Sequence, residues 1–308
     1  MKTFLCSGTK GDVIMNLYVV KALGGGDLYI TKGKFEEGEL DNVIESCGKL
    51  ITSQSYVRSF KVHNGEKIDI DLDKWRTSKY FYRKTLLDLM CRAQAIKLPR
   101  WVDPWINVPP HPEFGDKIVV HRRISKVTER ANSMFNWKKI IDTFGVENFV
   151  FVSRLKYEWE EFGFPEIEYF YPKDMYEHAQ TIKACKLFVG NQSLPAAVAD
   201  ALGVDRIFEL ALGIDRNHCL IHYANNAWYF ASPWVSTFKH FRFAKNNNGK
   251  GYLDLLNGGK VKKLNKGEEL KELCSSINLE LGFRKMYSKF LLKRYIDSTI
   301  DFWKRFTY

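Results

Sequence analysis

No two cysteines of this 308-residue chain stand at C-x-x-C spacing. The six present (Cys6, Cys47, Cys91, Cys185, Cys219 and Cys274) are scattered, which excludes a zinc ribbon and argues against a disulfide framework. Cys6 and Cys185 sit in apolar surroundings and are expected to be core thiols, which predicts a reducing, cytoplasmic setting. Also missing is an uninterrupted apolar run near the roughly 18–20 residues of a membrane span. Met1-Lys2 leads straight into the short run TFLCS, so no secretory leader is expected and no transmembrane segment. A fixed short repeat is absent too.

What the chain does have is apolar mass and positive charge. At 45% hydrophobic and 15% aromatic it can bury large cores, which excludes a disordered tail, and its length suggests two domains. Forty-seven Lys and Arg against 36 Asp and Glu give a net +11, which favours a polyanionic partner: nucleic acid, nucleotide phosphates or an acidic membrane surface. An uninvolved basic surface is the plainer account of the same excess.

TFLCS (3–7) has the pattern of a strand, GTKGD (8–12) of a loop, VIMNLYVVKAL (13–23) of a helix stopped by three glycines, and DLYI (27–30) of the next strand. That is a βαβ unit opening a parallel sheet. GELDNVIESCGKL predicts a second helix and VRSFKVH a further strand, while TSKYFYRKTLLDLMCRAQAI (77–96) predicts one long basic amphipathic helix. Five prolines between 98 and 116 mark a linker, and KIVVH (117–121) opens a second alternation of strands and helices. The domains are therefore placed at 1–108 and 109–280, with a long aromatic and cationic helix at 281–308. The fold class is α/β with two Rossmann-like domains.

Three loops could carry chemistry. In GTKGDVIMN, Gly8 and Gly11 allow close backbone approach and Asp12 lies near a helix start; the loop is neither G-x-G-x-x-G nor Walker A. Asp12 is either a helix cap or a working carboxylate. After the first strand of the second domain, His121, Arg122, Arg123, Lys126 and Arg130 suit a diphosphate, or form a solvated basic loop. In LFVGNQSLPAAVADALG (187–203) a strand hands over to a helix through Asn191, Gln192 and Ser193. Ser193 with Pro195 is orthodox capping, and the amides of Asn191 and Gln192 are surplus donors for phosphate or sugar. Two metal patterns are weaker. D-x-D in KIDIDLDKW (67–75) fits a half-exposed strand, and a strand-like HCLIH (218–222) holds its histidines too far apart for one zinc. No metal site and no cofactor is expected.

On these blocks the chain resembles glycosyltransferase family 9, the ADP-heptose:lipopolysaccharide heptosyltransferase group. KGDVIMNLYVVKAL matches that family's first loop and helix, IVVHRRIS…FNWKKII its second-domain opening, and VGNQSLPAAVADALG its motif iGxDSGpmHlAaAlg. The resemblance implies a B-type glycosyltransferase, two Rossmann-like domains facing a cleft, with the terminal helix returning to the first domain. It implies inverting, metal-independent transfer from a nucleotide-diphosphate sugar, with Asp12 as base and Arg122, Arg123 and Lys126 offsetting charge on the leaving group. Gly11, Asn191, Gln192, Ser193 and Glu209 complete the expected donor site. Gln192, Leu194 and Ala197 replace the family's Asp, Gly and His, which predicts a donor other than ADP-heptose.

For the acceptor, residues 76–100 carry Arg76, Lys79, Arg83, Lys84, Arg92, Lys97 and Arg100 against Asp88, interleaved with Tyr80, Phe81 and Tyr82. Arg76, Lys79, Arg83 and Lys84 are the expected acceptor-binding residues. Cations beside stacking aromatics fit a hydroxylated base in DNA. The same stretch fits an anionic glycan or glycolipid reached by peripheral contact with an acidic membrane. A solvated helix face explains it as well. The alternative from another class is a non-catalytic nucleic-acid-binding protein with twin α/β domains.

Overall fold

The computed structural model describes residues 2–32, 40–78, 85–99, 102–123, 135–209 and 227–230. The first half builds a four-stranded parallel sheet from β1 (Lys2–Cys6), β2 (Gly26–Ile30), β3 (Val57–Val62) and β4 (Ile70–Asp71), in the order β3-β2-β1-β4. Helices α1 (Lys10–Ala22) and α2 (Leu40–Thr52) make its crossovers, and α3 (Leu86–Ala93) follows a short 3-10 turn over Leu72–Thr77.

The second half builds a six-stranded parallel sheet from β5 (Ile118–His121), β6 (Phe149–Val152), β7 (Glu168–Phe170), β8 (Leu187–Asn191), β9 (Arg206–Glu209) and β10 (Ala227–Phe230). Its order is β7-β6-β5-β8-β9-β10, which counted within the sheet is 3-2-1-4-5-6, the doubly wound Rossmann order. The crossover helices are α4 (Trp137–Phe144), α5 (Lys156–Phe162), α6 (Met175–Ala184) and α7 (Leu194–Leu202). Strands β5, β6, β8 and β9 are buried at every residue, as expected of a parallel sheet covered on both faces.

The faces divide by alternation. Ile118 and Val120 point into the layer beneath α4 and α5, whereas Val119, Val150 and Val152 point to the other side, towards α6 and α7. That second layer continues into the first half. Helix α1 packs on α7 and α2 on α6, so one apolar core runs from the first sheet through two helix layers to the second. This explains two compositions. Helix α7 reads PAAVADAL because every residue from Pro195 to Leu202 is buried, and α1 is apolar on most sides for the same reason.

The proline-rich stretch stitches the layers together instead of running free. It is neither helix nor strand from 102 to 117, yet Trp105, Ile106, Val108 and Phe114 are buried. The Trp105 ring N–H donates to the Ile14 carbonyl of α1 at 2.9 Å. The Trp105 and Ile106 backbone N–H groups donate to the Ala201 carbonyl at the end of α7, a group the helix itself leaves unsatisfied.

Three expectations change. The long helix over 77–96 does not form as one element: a 3-10 turn ends at Thr77 and α3 starts only at Leu86, where the Thr85 hydroxyl accepts from the Asp88 N–H. The loop over 8–12 is shorter, because Thr9 caps α1 and Gly11 and Asp12 lie within its first turn. The strand in KIDIDLDKW shrinks to Ile70–Asp71. The expected helix at 281–308 and the HCLIH segment lie outside the described residues, where Lys79, Arg83, Lys84 and Lys126 also fall.

Candidate functional site

In each sheet the strand order reverses beside its first strand, and both reversals lie at the same end of the molecule. At that end the first turn of α1 meets the first turn of α7: a methyl group placed on Gly11 would lie 4.0 Å from the Leu194 Cα. Open parallel sheets bind ligands at such reversals.

On the first-half side, Asp12 occupies the third position of α1, and its carboxylate accepts from the Thr9 N–H at 3.0 Å. This is the back-reaching half of a capping box. The same oxygen lies 3.1 Å from an Arg76 terminal nitrogen. Arg76 also donates to the Ser7 carbonyl at 3.1 Å and to Asp73 at 3.3 Å, with its guanidinium 4.4 Å from the centre of the Trp75 ring. Gly8 makes this possible. Its φ is +100°, and a Cβ there would collide with the Arg76 guanidinium. Asp12 keeps 17% of its side chain exposed, so the carboxylate is braced yet still open to a ligand. Arg76 is therefore tied to Asp12 and lies inside the first-half site, not on an outer helix face.

On the second-half side, the ends of β5 and β8 are bound to each other. Asn191 is fully buried: its oxygen accepts from the Arg123 backbone N–H at 3.0 Å, and its amide donates to the Arg123 carbonyl at 2.7 Å. An amide engaged in this way fixes the backbone of Arg123, two residues past the end of β5. Its donors are directed at the protein and not at a ligand. Ser193 holds the cap position of α7, but its hydroxyl makes no capping bond. It donates to the Asn191 carbonyl at 3.0 Å and lies 3.1 Å from His121 Nδ1. Gln192 is buried between them, at 7% exposure.

The other ring nitrogen of His121, Nε2, lies 3.2 Å from Glu158, which also accepts from the Ser153 hydroxyl at 2.5 Å. All of these groups are buried. Burial raises the Glu158 carboxyl, but the His121 and Ser153 hydrogen bonds, with Arg123 beyond them, outweigh it and hold Glu158 below its ordinary value. The network ties β5, α5 and the α7 elbow into one unit.

The two arginines differ. Arg122 is held bidentately by Glu209, both contacts at 3.0 Å, and the Trp137 ring N–H donates to the same carboxylate at 2.9 Å. Glu209 is thus a buried counter-ion and not an open carboxylate at the rim. Arg123 is 48% exposed, and among the described residues its carboxylate contact is the one to Glu158, at 3.8 Å. Of the two, Arg123 is the cation presented outward.

The acids of KIDIDLDKW have structural duties. Asp69 accepts from Thr3, Asp71 caps the 3-10 turn through the Asp73 N–H, and Asp73 pairs with Arg76. Among the described residues no group of three His, Cys, Asp or Glu is placed to hold a metal ion, and no helix is long and apolar enough to cross a membrane. A cavity of about 450 Å³, lined by Lys21, Gln54, Tyr56, Trp105 and Lys183 among others, lies at the far end of α1. That is about 13 Å along the helix from Asp12 and no part of this site.

Sequence reasoning missed Glu158, Ser153 and Trp137 as members of the site. They contact it from 16 to 37 residues away along the chain from the β5 end, and nothing local in YEWEEF separates Glu158 from its solvated neighbours.

No family model matches the chain, and no curated protein matches its sequence. Solved structures do match its fold. It is similar to Escherichia coli heptosyltransferase WaaC with ADP at 11% identity and a TM-score of 0.51, over 74% of this chain and 92% of that one. It is similar to the dodecameric iron-containing heptosyltransferase TibC in complex with ADP-D-beta-D-heptose at 10% identity and a TM-score of 0.51, over 90% of this chain and 75% of that one. The iron-containing glycosyltransferase TibC from enterotoxigenic E. coli H10407 gives 11% and 0.50, over 91% and 76%. The chain has the two-sheet α/β fold of these glycosyltransferase structures.

Proposed function

We propose that this protein is a glycosyltransferase that moves a sugar from a nucleotide-diphosphate donor to a hydroxyl acceptor. The observation that supports it most is the pairing of a braced, partly open carboxylate, Asp12, with a cation-bearing Rossmann reversal in the facing half, within a fold shared with heptosyltransferase structures.

In the proposed reaction the acceptor oxygen attacks the anomeric carbon, the bond from that carbon to the phosphate oxygen breaks, and the nucleoside diphosphate departs with the bonding pair. Asp12 takes the acceptor proton, and attack opposite the leaving group inverts the anomeric centre. Arg76 and Thr9 hold Asp12 in place. Arg123 and the backbone N–H groups opening α7 offset charge on the leaving diphosphate, and Lys126, three residues further along the chain, is proposed for the same role. Arg122, Asn191, Ser193 and Glu209 position that loop. No metal is required by this scheme.

For the acceptor we propose a polyanion, either a hydroxylated base in DNA or an anionic surface glycan, on the strength of the net charge of +11 and the basic run at 76–100. The test incubates the protein with a panel of nucleotide sugars and measures released nucleoside diphosphate, with and without hydroxymethylated DNA. Release from one donor is expected. No release from any donor, together with salt-sensitive DNA binding, would replace this reading with a binding module.

A further inference from the structure

Serine at the start of a helix ordinarily closes it, but Ser193 leaves α7 open. Its hydroxyl makes no capping bond and turns back onto the ends of β5 and β8. In the first turn, Leu194 and Ala196 keep N–H groups that the helix itself cannot pair, and Pro195 between them has none. The Ser193 hydroxyl holds one proton and faces two groups able to accept it, the Asn191 carbonyl at 3.0 Å and His121 Nδ1 at 3.1 Å. On the other side of the ring, Nε2 faces Glu158 at 3.2 Å. Glu158 accepts from Ser153, whose own oxygen accepts from the Leu155 N–H, so the carboxylate is an acceptor throughout and Nε2 carries a proton.

Two arrangements satisfy this buried chain of groups. With one ring proton, on Nε2, Nδ1 is bare and draws the Ser193 proton inward, away from the mouth of α7. With two, Nδ1–H donates to the Ser193 oxygen, and the hydroxyl proton is released to the Asn191 carbonyl or to an anion outside. The groups around the ring bear on the choice. From α5, Glu158 favours the charged ring, while Arg123, past the end of β5, lies 3.8 Å from the other Glu158 oxygen and weakens that pull. From α6, His178 stands 6.2 Å away ring to ring, kept neutral by burial and then by His121 and Arg154. Phe151 of β6 stacks on the ring at 6.0 Å, and the α7 elbow presents the neutral hydroxyl of Ser193.

We propose that His121 is a positioning residue that works through Ser193 on an anion bound at the mouth of α7. When a diphosphate binds there, its charge favours the ring with two protons. Nδ1 takes the second proton from solvent, the Ser193 hydroxyl turns onto a phosphate oxygen, and Glu158 balances the charge gained. No covalent bond to the anion forms or breaks in this step. Resting on the diphosphate reading above, this gives the leaving group a further donor beside Arg123 and the α7 N–H groups.

Calorimetric titration of the full chain with inorganic pyrophosphate tests this, run in buffers of different ionisation enthalpy so that proton uptake is read beside affinity. Wild type should take up more protons per anion than Ser193→Ala, by up to about one, and bind about tenfold or more tightly. Ser193→Thr, which keeps the hydroxyl, should restore both. His121→Asn sets an amide near the place of Nδ1 and always offers Ser193 an N–H, so it should keep most of the affinity and lose the extra uptake. His121→Gln sets its amide near the place of Nε2 and keeps the tie to Glu158. It should lose the uptake and bind severalfold more weakly than His121→Asn. A ring that only ties α5 to β5 predicts the reverse order. If the His121 variants fail to fold, Ser193→Ala against Ser193→Thr carries the same comparison.

Three results would overturn this role for His121: no pyrophosphate binding by the wild type, equal proton uptake by wild type and Ser193→Ala, or tighter binding by His121→Gln than by His121→Asn. None of them depends on nucleoside diphosphate release. Release from a sugar donor, with uptake unchanged across the variants, would leave the transferase standing and remove His121 from it. Extra uptake through Ser193, without release from any donor, would leave the anion site without the transferase.

Discussion

Asp12→Asn separates the two duties that Asp12 can hold. Asparagine keeps an oxygen in place to accept from the Thr9 N–H, now 3.0 Å away, so α1 retains its capping contact. What it loses is the charge facing Arg76 at 3.1 Å and the capacity to take a proton. Complete loss of a cap costs about 0.5–2 kcal/mol. A partly exposed ion pair adds about 1 kcal/mol at most, since the two side chains are 17% and 28% exposed and water screens them. At about 2 °C per kcal/mol for a chain of this size, the melting temperature falls by no more than about 6 °C. Removing a general base lowers turnover by about 10²–10⁴-fold. A loss of this size far exceeds what such a stability change explains in a protein that is still folded at the assay temperature. The measurement pairs a thermal melt with nucleoside diphosphate release from whichever donor supports turnover. Affinity for the nucleoside diphosphate of that donor serves as the control, expected near wild type. Turnover within threefold of wild type, beside the small drop in melting temperature, would show that Asp12 is a cap alone and that the base lies elsewhere.

Three further outcomes are expected. His178 is buried neutral, so the unfolded chain takes up a proton near the ordinary value of 6.5 that the folded chain refuses; stability therefore drops as pH falls below about 6.5. Glu158, held below its ordinary value of 4.5, adds a second loss as pH falls through its folded value, and in acid titrations followed by circular dichroism His178→Gln should remove the first limb only. Gly8→Ala sets a side chain at φ +100° against Arg76, costing about 1–2 kcal/mol, and it should lower turnover with little change in affinity for the product nucleoside diphosphate because it moves Arg76 off Asp12. Asp200→Ala leaves the Arg206 guanidinium, 1% exposed and held at 2.6 Å by Asp200, without its carboxylate. It should cost about 3–5 kcal/mol in a urea or thermal melt, and a change below 1 kcal/mol would contradict the assignment of that pair as a buried brace for α7.

The parts of the fold legible in the sequence are those whose burial is uniform. Strands β5, β6, β8 and β9 stand out as short apolar runs because helices cover both faces. Strand β7, Glu168–Phe170, carries no such signal, since it lies at the sheet edge and only partly buries its side chains. In the expected long helix the apolar spacing of Tyr80 to Leu87 obscured a stronger local mark, the pair Thr85 and Asp88 that starts α3. Thr9 and Asp12 form the same T-x-x-D pattern, and it accounts for Asp12 entering the helix. The surplus amide of Asn191 was visible, but its partner was not: it binds the backbone of a residue 68 positions away, a tertiary fact with no local trace.

The ion pairs decide which cations can serve a ligand. A sequence rich in Arg and Lys near one loop suggests that all of them meet the donor, yet Arg122 is neutralised by a carboxylate with no exposure to solvent, an interaction that a diphosphate in water would have to displace at the cost of stranding Glu209. Arg122 is better placed to steer than to bind. Its tie to Glu209 holds the base of the β5 loop, while Asn191 holds the backbone of the next residue, and between them they aim Arg123 outward. On the first-half side the same logic turns Arg76 inward, onto Asp12. Of the two arginines that follow β5, Arg123 is therefore the one presented to a bound anion, and Arg122 serves it by holding the chain on which it stands.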